Sequence, residues 1–191
     1  MKEVRDESHQ HGNSEAESGA FIQEKKKNEE PLWKGYLSLL LRTLIFLVIL
    51  ALLFTQVLFL KRVSGNDMFP SLKDGDLALG FRLDREYRSG DVVLYEAGGA
   101  LHFGRILALG GNVVNISGNG SVQINGVTES GEILFPTENR GSLEYPYQVA
   151  EDSVFILGDY RTEADDSRTY GAIQKSSIRG KVLSILRRRG I

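Results

Sequence analysis

The hydrophobic residues of this chain form one long uninterrupted run near the N-terminus. Thr43–Leu60 contains eighteen residues without a charge, and Tyr36–Leu41 extends the run beyond Arg42. At a rise of about 1.5 Å per residue, the uncharged run would span about 27 Å as a helix, close to the thickness of a bilayer core. Lys61 follows it instead of the small residues of a cleavage site, so we predict an uncleaved transmembrane helix over residues 36–60 rather than a cleaved signal peptide.

The segment that precedes this run is strongly polar. Residues 1–30 contain 13 charged side chains and only six apolar ones. Such a segment buries too little surface to offset the entropy of ordering it, so residues 1–34 are predicted to be a disordered tail. Basic residues are in excess on the tail side, which favours a cytoplasmic tail and an extracellular C-terminal domain. Those basic residues are Lys25, Lys26, Lys27, Lys34 and Arg42, against Lys61, Arg62 and Lys73 on the other side.

Short alternating runs typical of β-strands follow the apolar segment. Residues 113–117 and 121–126 alternate on either side of Gly118-Asn119-Gly120, which predicts a hairpin. Eighteen of the 21 glycines lie after residue 60, as expected for a loop-rich β domain. We therefore predict a mainly β domain over residues 63–186, followed by a basic end at 187–191. Further strands are expected over 91–95, 101–109, 153–158 and 181–186.

The composition excludes several kinds of chemistry. The chain has no cysteine, which excludes disulfides, thiol catalysis, iron–sulfur clusters and cysteine-based zinc sites. With three histidines, two of them in the polar tail, we expect no metal or other cofactor. The net charge of −2 and the lack of an extended basic block argue against nucleic-acid binding.

Four short blocks after the apolar run carry a resemblance to a known family. They are Gly65–Leu72, Ser89–Val93, Arg105–Asn112, and Gly158–Arg161 with Asp166-Ser167-Arg168 and Gly171. In this order they resemble the G-x-S-M-x-P-[TS]-L, G-D-[IV]-V, K-R-[IV]-x-G-x-P-G-D and G-D-N-x₄-S-x-D-S-R-x₂-G motifs of type I signal peptidases (peptidase S26). These are membrane-anchored serine proteases that remove leader peptides from exported proteins. The resemblance implies a signal-peptidase-type β domain behind one transmembrane helix.

The chain departs from this family at every position of the proton-transfer apparatus. In the family, a serine attacks the scissile carbonyl, a neutral lysine removes its proton, and a second serine orients the lysine. Asp67 stands at the nucleophile position, Gly104 at the lysine position and Ala164 at the orienting position. The resemblance therefore implies that the chain contains no catalytic residue.

A carboxylate at the nucleophile position could replace the oxyanion of the family's reaction. We hypothesise that Asp67 is a stable anion that accepts backbone N–H bonds in the former oxyanion hole, without a raised pKa. The sequence offers two alternative catalysts. Asp74 and Asp76 could form an aspartic pair, although their sequence predicts a turn. His102 could act as a base toward Ser64 or Ser71, although an ordinary strand histidine is favoured.

We assign structural or binding roles to the other residues of the four blocks. Asp159, Arg161, Asp166 and Arg168 are predicted to form a salt-bridge and turn network with Ser167 that holds the fourth block against the sheet. Met68, Phe69, Pro70 and Arg105 are predicted to line the cleft, where ordinary apolar packing is favoured over peptide contact for Met68 and Phe69.

With Asp67 and Gly104 at the dyad positions, the chain resembles the SipA-type pilus-associated signal-peptidase-like proteins of Gram-positive bacteria, which lack the serine–lysine dyad. It implies a membrane-anchored, inactive homologue that assists surface pilus assembly. The implied partners are the lipid bilayer and a pilin backbone subunit, with the sortase that links pilins as a second candidate. The alternatives are an active signal peptidase I with a non-standard site and an inert competitor for its precursors.

Overall fold

A computed structural model describes residues 32–130 and 135–187 of the chain. The predicted disordered tail lies outside the described residues as far as residue 31, and so does the basic end beyond residue 187. The chain divides into two units, Met1–Leu52 and Leu53–Ile191.

The apolar run forms helix α1, Leu32–Val57. All side chains described from residue 33 to residue 56 are exposed, and Trp33–Val57 is long and apolar enough to cross a membrane. The predicted helix is therefore confirmed, but its predicted bounds of 36–60 are wrong. Residues 58–60 belong to strand β1, because pairing of Leu58 with Phe81 and of Leu60 with Leu79 brings them into a sheet. The β domain thus begins before residue 63.

The second unit is mainly β, as the sequence predicts, and contains two antiparallel sheets. The larger sheet has the strand order β1-β2-β11-β3-β4-β9-β10, and the smaller has the order β7-β6-β5-β8. The strands are β1 Leu58–Arg62, β2 Leu77–Phe81, β3 Val92–Ala97, β4 Ala100–Leu109, β5 Val113–Ile116, β6 Val122–Ile124, β7 Val127–Thr128, β8 Tyr147–Gln148, β9 Ser153–Leu157, β10 Ile173–Gln174 and β11 Ile178–Leu186. A one-turn helix α2, Ser167–Tyr170, and a 3₁₀ turn, Lys175–Ser177, lie on either side of β10.

The predicted hairpin is confirmed, since β5 and β6 pair across Gly118-Asn119-Gly120. The other four predicted strands correspond to β3, β4, β9 and β11. Strand β2 was not predicted, because its sequence, LALGF, shows no alternation of apolar and polar residues. It is a strand because β1 and β11 pair with it on both sides.

Strand β4 places the candidate site within the larger sheet. From Ala100 to Arg105 it pairs with β3, whereas β9 pairs with it only from Arg105 onward. The first half of β4 therefore has a second edge with no partner strand among the described residues. Buried apolar residues from β3, β4 and β9 fill the core beneath this point, including Tyr95, Ile106 and Ile156.

Candidate functional site

The first and fourth motif blocks meet at Asp67. The segment after β1 turns sharply, with the Phe69 N–H donating to the Asn66 carbonyl (2.8 Å) and the Leu72 N–H donating to the Met68 carbonyl (2.9 Å). Met68 and Leu72 are each 1% exposed and anchor this turn in the core. The backbone carbonyl of Asp67 then accepts a hydrogen bond of 2.9 Å from the N–H of Tyr160. The two blocks, which are about 90 residues apart in sequence, are thereby joined.

The side chain of Asp67 faces His102 on β4. Its Oδ2 atom lies 3.9 Å from Nδ1 of His102, and the two side chains are 36% and 15% exposed. Burial raises the pKa of the Asp67 carboxyl, His102 lowers it, and the nearby Asp165 and Asp166 raise it further. The net direction of the pKa is upward, so the site disfavours the charged form of this carboxylate.

The hypothesis that backbone N–H groups hold the Asp67 carboxylate in a former oxyanion hole is therefore wrong. No backbone N–H among the described residues donates to the Asp67 carboxylate, and its pKa is raised rather than left at its usual value. Partial burial is the main cause of this raised pKa, because the carboxylate loses water and no described backbone N–H replaces it.

His102 packs between two tyrosine rings. The ring centroids of Tyr95 and Tyr170 lie 5.7 Å and 5.6 Å from that of the imidazole. Its Nε2 atom is buried and has no hydrogen-bond partner in the described part of the chain. Within those residues, no serine hydroxyl is hydrogen-bonded to His102, including those of the two candidates Ser64 and Ser71. The site therefore combines a carboxylate and an imidazole without a hydroxyl aligned to lose a proton.

Gly104 lies beneath Tyr95 and Ile156, both fully buried. A Cβ atom at this position would lie 2.4 Å from Cγ2 of Ile156 and 3.0 Å from Cε1 of Tyr95. Because real Cβ atoms do not approach other atoms this closely, the surrounding core leaves no room for a side chain at position 104, which the motif resemblance assigns to the family's lysine. Tyr95 and Ile156 were not singled out from the sequence, in which they read as ordinary strand residues.

Ala164 is fully buried near the backbone of Asp67, and Gly158 lies between them. A Cβ atom on Gly158 would lie 2.2 Å from Cβ of Ala164 and 2.6 Å from the carbonyl oxygen of Asp67. The close approach therefore requires glycine at position 158. It brings Ala164 and the backbone of Asp67, which the motif resemblance assigns to the orienting and nucleophile positions, into one packed layer.

The fourth block contains a fully buried ion pair. Arg168 and Asp166 are 0% and 1% exposed as side chains, and their Nη2 and Oδ2 atoms are 2.8 Å apart. Asp166 also caps α2 by accepting the Arg168 N–H (3.0 Å) and accepts the Gly158 N–H (3.0 Å). The Ser167 hydroxyl accepts the N–H of Ile156 in β9 at 2.9 Å. These contacts hold the fourth block against the sheet, as predicted for these three residues.

The other two charged residues of the predicted network pair elsewhere. Asp159 binds Arg105 through two hydrogen bonds of 2.8 Å and 2.6 Å. Arg161 binds Glu129 and the Thr137 hydroxyl. Sequence spacing could not predict these partners, because each lies more than 20 residues from Asp159 or Arg161 in the chain.

Two of the four residues predicted to line the cleft have other roles. Met68 is a core residue, since it packs with Phe59, Val63 and Leu72 among others. Arg105 is engaged with Asp159, which raises the pKa of its guanidinium through a side-chain hydrogen bond. Phe69 is 37% exposed and Pro70 is half-buried, so both remain available at the surface.

Asp74 and Asp76 serve as backbone acceptors. Asp74 accepts the Gly65 N–H at 3.1 Å, and Asp76 accepts the Lys73 N–H at 3.0 Å. Each carboxylate thus stabilises the turn that the sequence predicts. Arg187, predicted as part of the basic end, lies on the domain and donates to the Ser71 carbonyl at 3.1 Å.

A cavity of about 200 Å³ opens beside Asp67 and is here called the Asp67 cavity. Its walls are residues 63–65, Asp67, Met68 and residues 101–103. The cavity lies between the turn after β1 and the half of β4 that has no second partner strand. Among the described residues of its lining, only Asp67 and His102 are ionisable. No group of His, Cys, Asp and Glu in the described part of the chain could hold a metal ion.

Comparison with known proteins identifies the family. Residues 36–186 match the signal peptidase, peptidase S26 family. The chain is 27% identical over 172 residues to a signal peptidase I from Leptolyngbya laminosa, covering 82% of this chain and 80% of that protein. It is 29% identical over 171 residues to a probable signal peptidase I-2 from Synechocystis, covering 82% and 75%. It is 26% identical over 153 residues to signal peptidase I S from Bacillus subtilis, covering 73% and 83%.

A solved structure of a signal peptidase I from Enterococcus faecalis V583 is also similar, with 26% identity and a TM-score of 0.42, and it covers 52% of this chain and 97% of that one. The family match covers the apolar helix, both sheets and all four motif blocks. The chain belongs to the peptidase S26 family of signal peptidases.

Proposed function

We propose that this chain is a catalytically inactive signal peptidase homologue that binds an extended polypeptide and assists surface pilus assembly. The observation that carries the proposal is the environment of Asp67 and Gly104, which stand at the family's nucleophile and lysine positions by resemblance. Asp67 replaces the nucleophile and faces an imidazole at 3.9 Å, while the core residues Ile156 and Tyr95 fill the space above Gly104. A serine-type mechanism needs both a hydroxyl and a base beside it.

The unpaired edge of β4 supports a binding role. The Ile106 N–H donates to the Asp91 carbonyl (2.9 Å) and its carbonyl accepts the Gly90 N–H (2.8 Å), so its backbone groups face the β3 side. Because these directions alternate along an antiparallel strand, the backbone groups of Leu101 and Phe103 face the opposite side. That side has no partner among the described residues, so an extended chain can add there as a strand along the Asp67 cavity.

The identity of the partner comes from the resemblance to pilus-associated members of the family. On that basis, the bound polypeptide is a pilin backbone subunit, with the sortase as a second candidate. Helix α1 would anchor the chain in the lipid bilayer with its N-terminus in the cytoplasm and the β domain outside.

The alternative is an active signal peptidase I that uses a non-standard site. The proximity of Asp67 and His102 is the observation that favours it, because a carboxylate beside an imidazole is found in hydrolytic sites. The missing aligned hydroxyl argues against acyl transfer through a serine.

Site-specific photocrosslinking in native membranes tests the proposed function. A photoreactive residue at Leu101, which is 46% exposed on the open edge, is expected to capture the pilin backbone subunit. The control position is Val127, which is 71% exposed on β7 of the other sheet. A pilin adduct from Leu101 and none from Val127 would support the proposal. Equal adducts from both positions, or no pilin adduct at all, would contradict it.

A further inference from the structure

We propose that the polypeptide bound along β4 places a cationic side chain, that of a lysine or an arginine, in the Asp67 cavity. This inference rests on the proposed binding function and adds the chemical class of the residue that is recognised. The position occupied by the nucleophile in other members of the family would here be a receptor for a positive charge.

The charge distribution around the cavity carries the first step. Among the described residues that line the cavity, Asp67 is the only acidic one and none is a lysine or an arginine. Arg105 and Arg168 are already paired with carboxylates, Arg105 with Asp159 and Arg168 with Asp166. Among the described residues, His102 is the only basic partner of Asp67, and its 3.9 Å separation exceeds a hydrogen bond.

The hydrogen-bonding state of the carboxylate carries the second step. An ionised carboxylate only accepts hydrogen bonds, and no described backbone N–H supplies one to Asp67. Its side chain is 36% exposed, so an incoming group can approach it. The carbonyl oxygen of a bound chain would be repelled, whereas an ammonium or guanidinium group would supply both the missing donors and the opposite charge.

The shape and polarity of the cavity carry the third step. Beside the carboxylate, the lining includes the apolar side chains of Val63, Leu101 and Phe103. Such walls suit the methylene stem of a lysine or arginine, whose charged end then lies at the carboxylate. The cavity volume of about 200 Å³ accommodates one such side chain. The adjoining strand edge holds the backbone of the same chain, so one ligand can satisfy both features.

Binding of a matched peptide pair to the detergent-solubilised full chain tests this inference. The probe is a fluorescein-labelled, ten-residue threonine- and valine-rich peptide with one central lysine, and its twin carries norleucine there. Fluorescence anisotropy is expected to show about tenfold tighter binding of the lysine peptide, in the range of a charge-assisted hydrogen bond. Asp67→Asn should abolish this preference. Asp152→Asn, which removes an exposed carboxylate in the turn before β9, should preserve it.

The outcomes separate this inference from the proposed function. Equal affinity of the two peptides for the unmodified protein, or an undiminished lysine preference in Asp67→Asn, would overturn the cation site alone and leave strand addition intact. Failure of both peptides to bind would overturn strand addition, and the cation site with it.

Discussion

Replacing Arg168 by methionine is expected to lower the free energy of unfolding of the β domain by about 3–5 kcal/mol. The methionine removes the guanidinium but leaves the carboxylate of Asp166 buried, with its side chain 1% exposed. It also removes the donors to the carbonyls of Glu138 (3.1 Å) and Ala164 (3.4 Å). An unpaired buried charge is costly because neither water nor a partner compensates it.

Urea unfolding of the detergent-solubilised chain, followed by pulse proteolysis, measures this effect. The matched control is Arg179→Met, since Arg179 forms an ion pair with Glu96 in which both side chains are more than 40% exposed. This control should change the stability by less than about 1 kcal/mol, as expected for surface pairs. Equal losses in the two variants would show that the buried pair is not a main determinant of stability.

Replacing Gly104 by alanine is expected to destabilise the domain by about 1–3 kcal/mol, the usual cost of overpacking a core. The added Cβ would lie 2.4 Å from Cγ2 of Ile156, which is buried in β9. Gly118→Ala is the control, because a Cβ at Gly118 meets nothing within 4 Å, and its effect should stay within about 0.5 kcal/mol.

A double-mutant cycle identifies the cause of that loss. Ile156→Ala removes the clashing methyl group and is itself destabilising by about 2–5 kcal/mol. With the clash removed, Gly104→Ala should cost much less in the Ile156→Ala background than in the unmodified chain. Strict additivity of the two substitutions, measured from the urea midpoints, would show that Ile156 does not close the space above position 104.

This packing bears on how a peptidase scaffold can become a binding protein. Any side chain at position 104 would have to enter the space that Ile156 and Tyr95 fill. Restoring a serine at position 67 and a lysine at position 104 would therefore not rebuild the dyad without repacking β9. The loss of activity that we propose is thus supported by the core as well as by the missing functional groups.

The sequence predicted the parts of the fold that depend on local pattern. The apolar helix and the β5–β6 hairpin follow from hydrophobicity and turn residues that are contiguous in the chain. The end of α1 at Val57 could not be predicted, because an unbroken apolar run continues to Leu60 and only pairing with β2 makes residues 58–60 a strand. At residues 58–60, pairing with a strand about 20 residues away therefore overrides the local helical preference.

The candidate site, like the fold, could be predicted from the sequence only in part. The motif resemblance singled out positions 67, 104 and 164. The structure packs Gly158 between Ala164 and the Asp67 backbone, and it places Gly104 beneath Tyr95 and Ile156. The raised pKa of Asp67 could not be predicted, because it depends on burial and on the nearby Asp165 and Asp166, which are properties of the folded chain. The roles of Tyr95 and Arg105 likewise depend on contacts across strands and between distant blocks.

Cleavage of a leader-bearing preprotein by the detergent-solubilised full chain tests the central claim most directly, with an active signal peptidase I assayed in parallel. The account predicts that the active enzyme processes the preprotein while this chain, and its Asp67→Ala variant alike, leave it intact. Cleavage at the leader junction by the unmodified chain, lost in Asp67→Ala, would contradict the account and establish Asp67 as part of a working catalytic site.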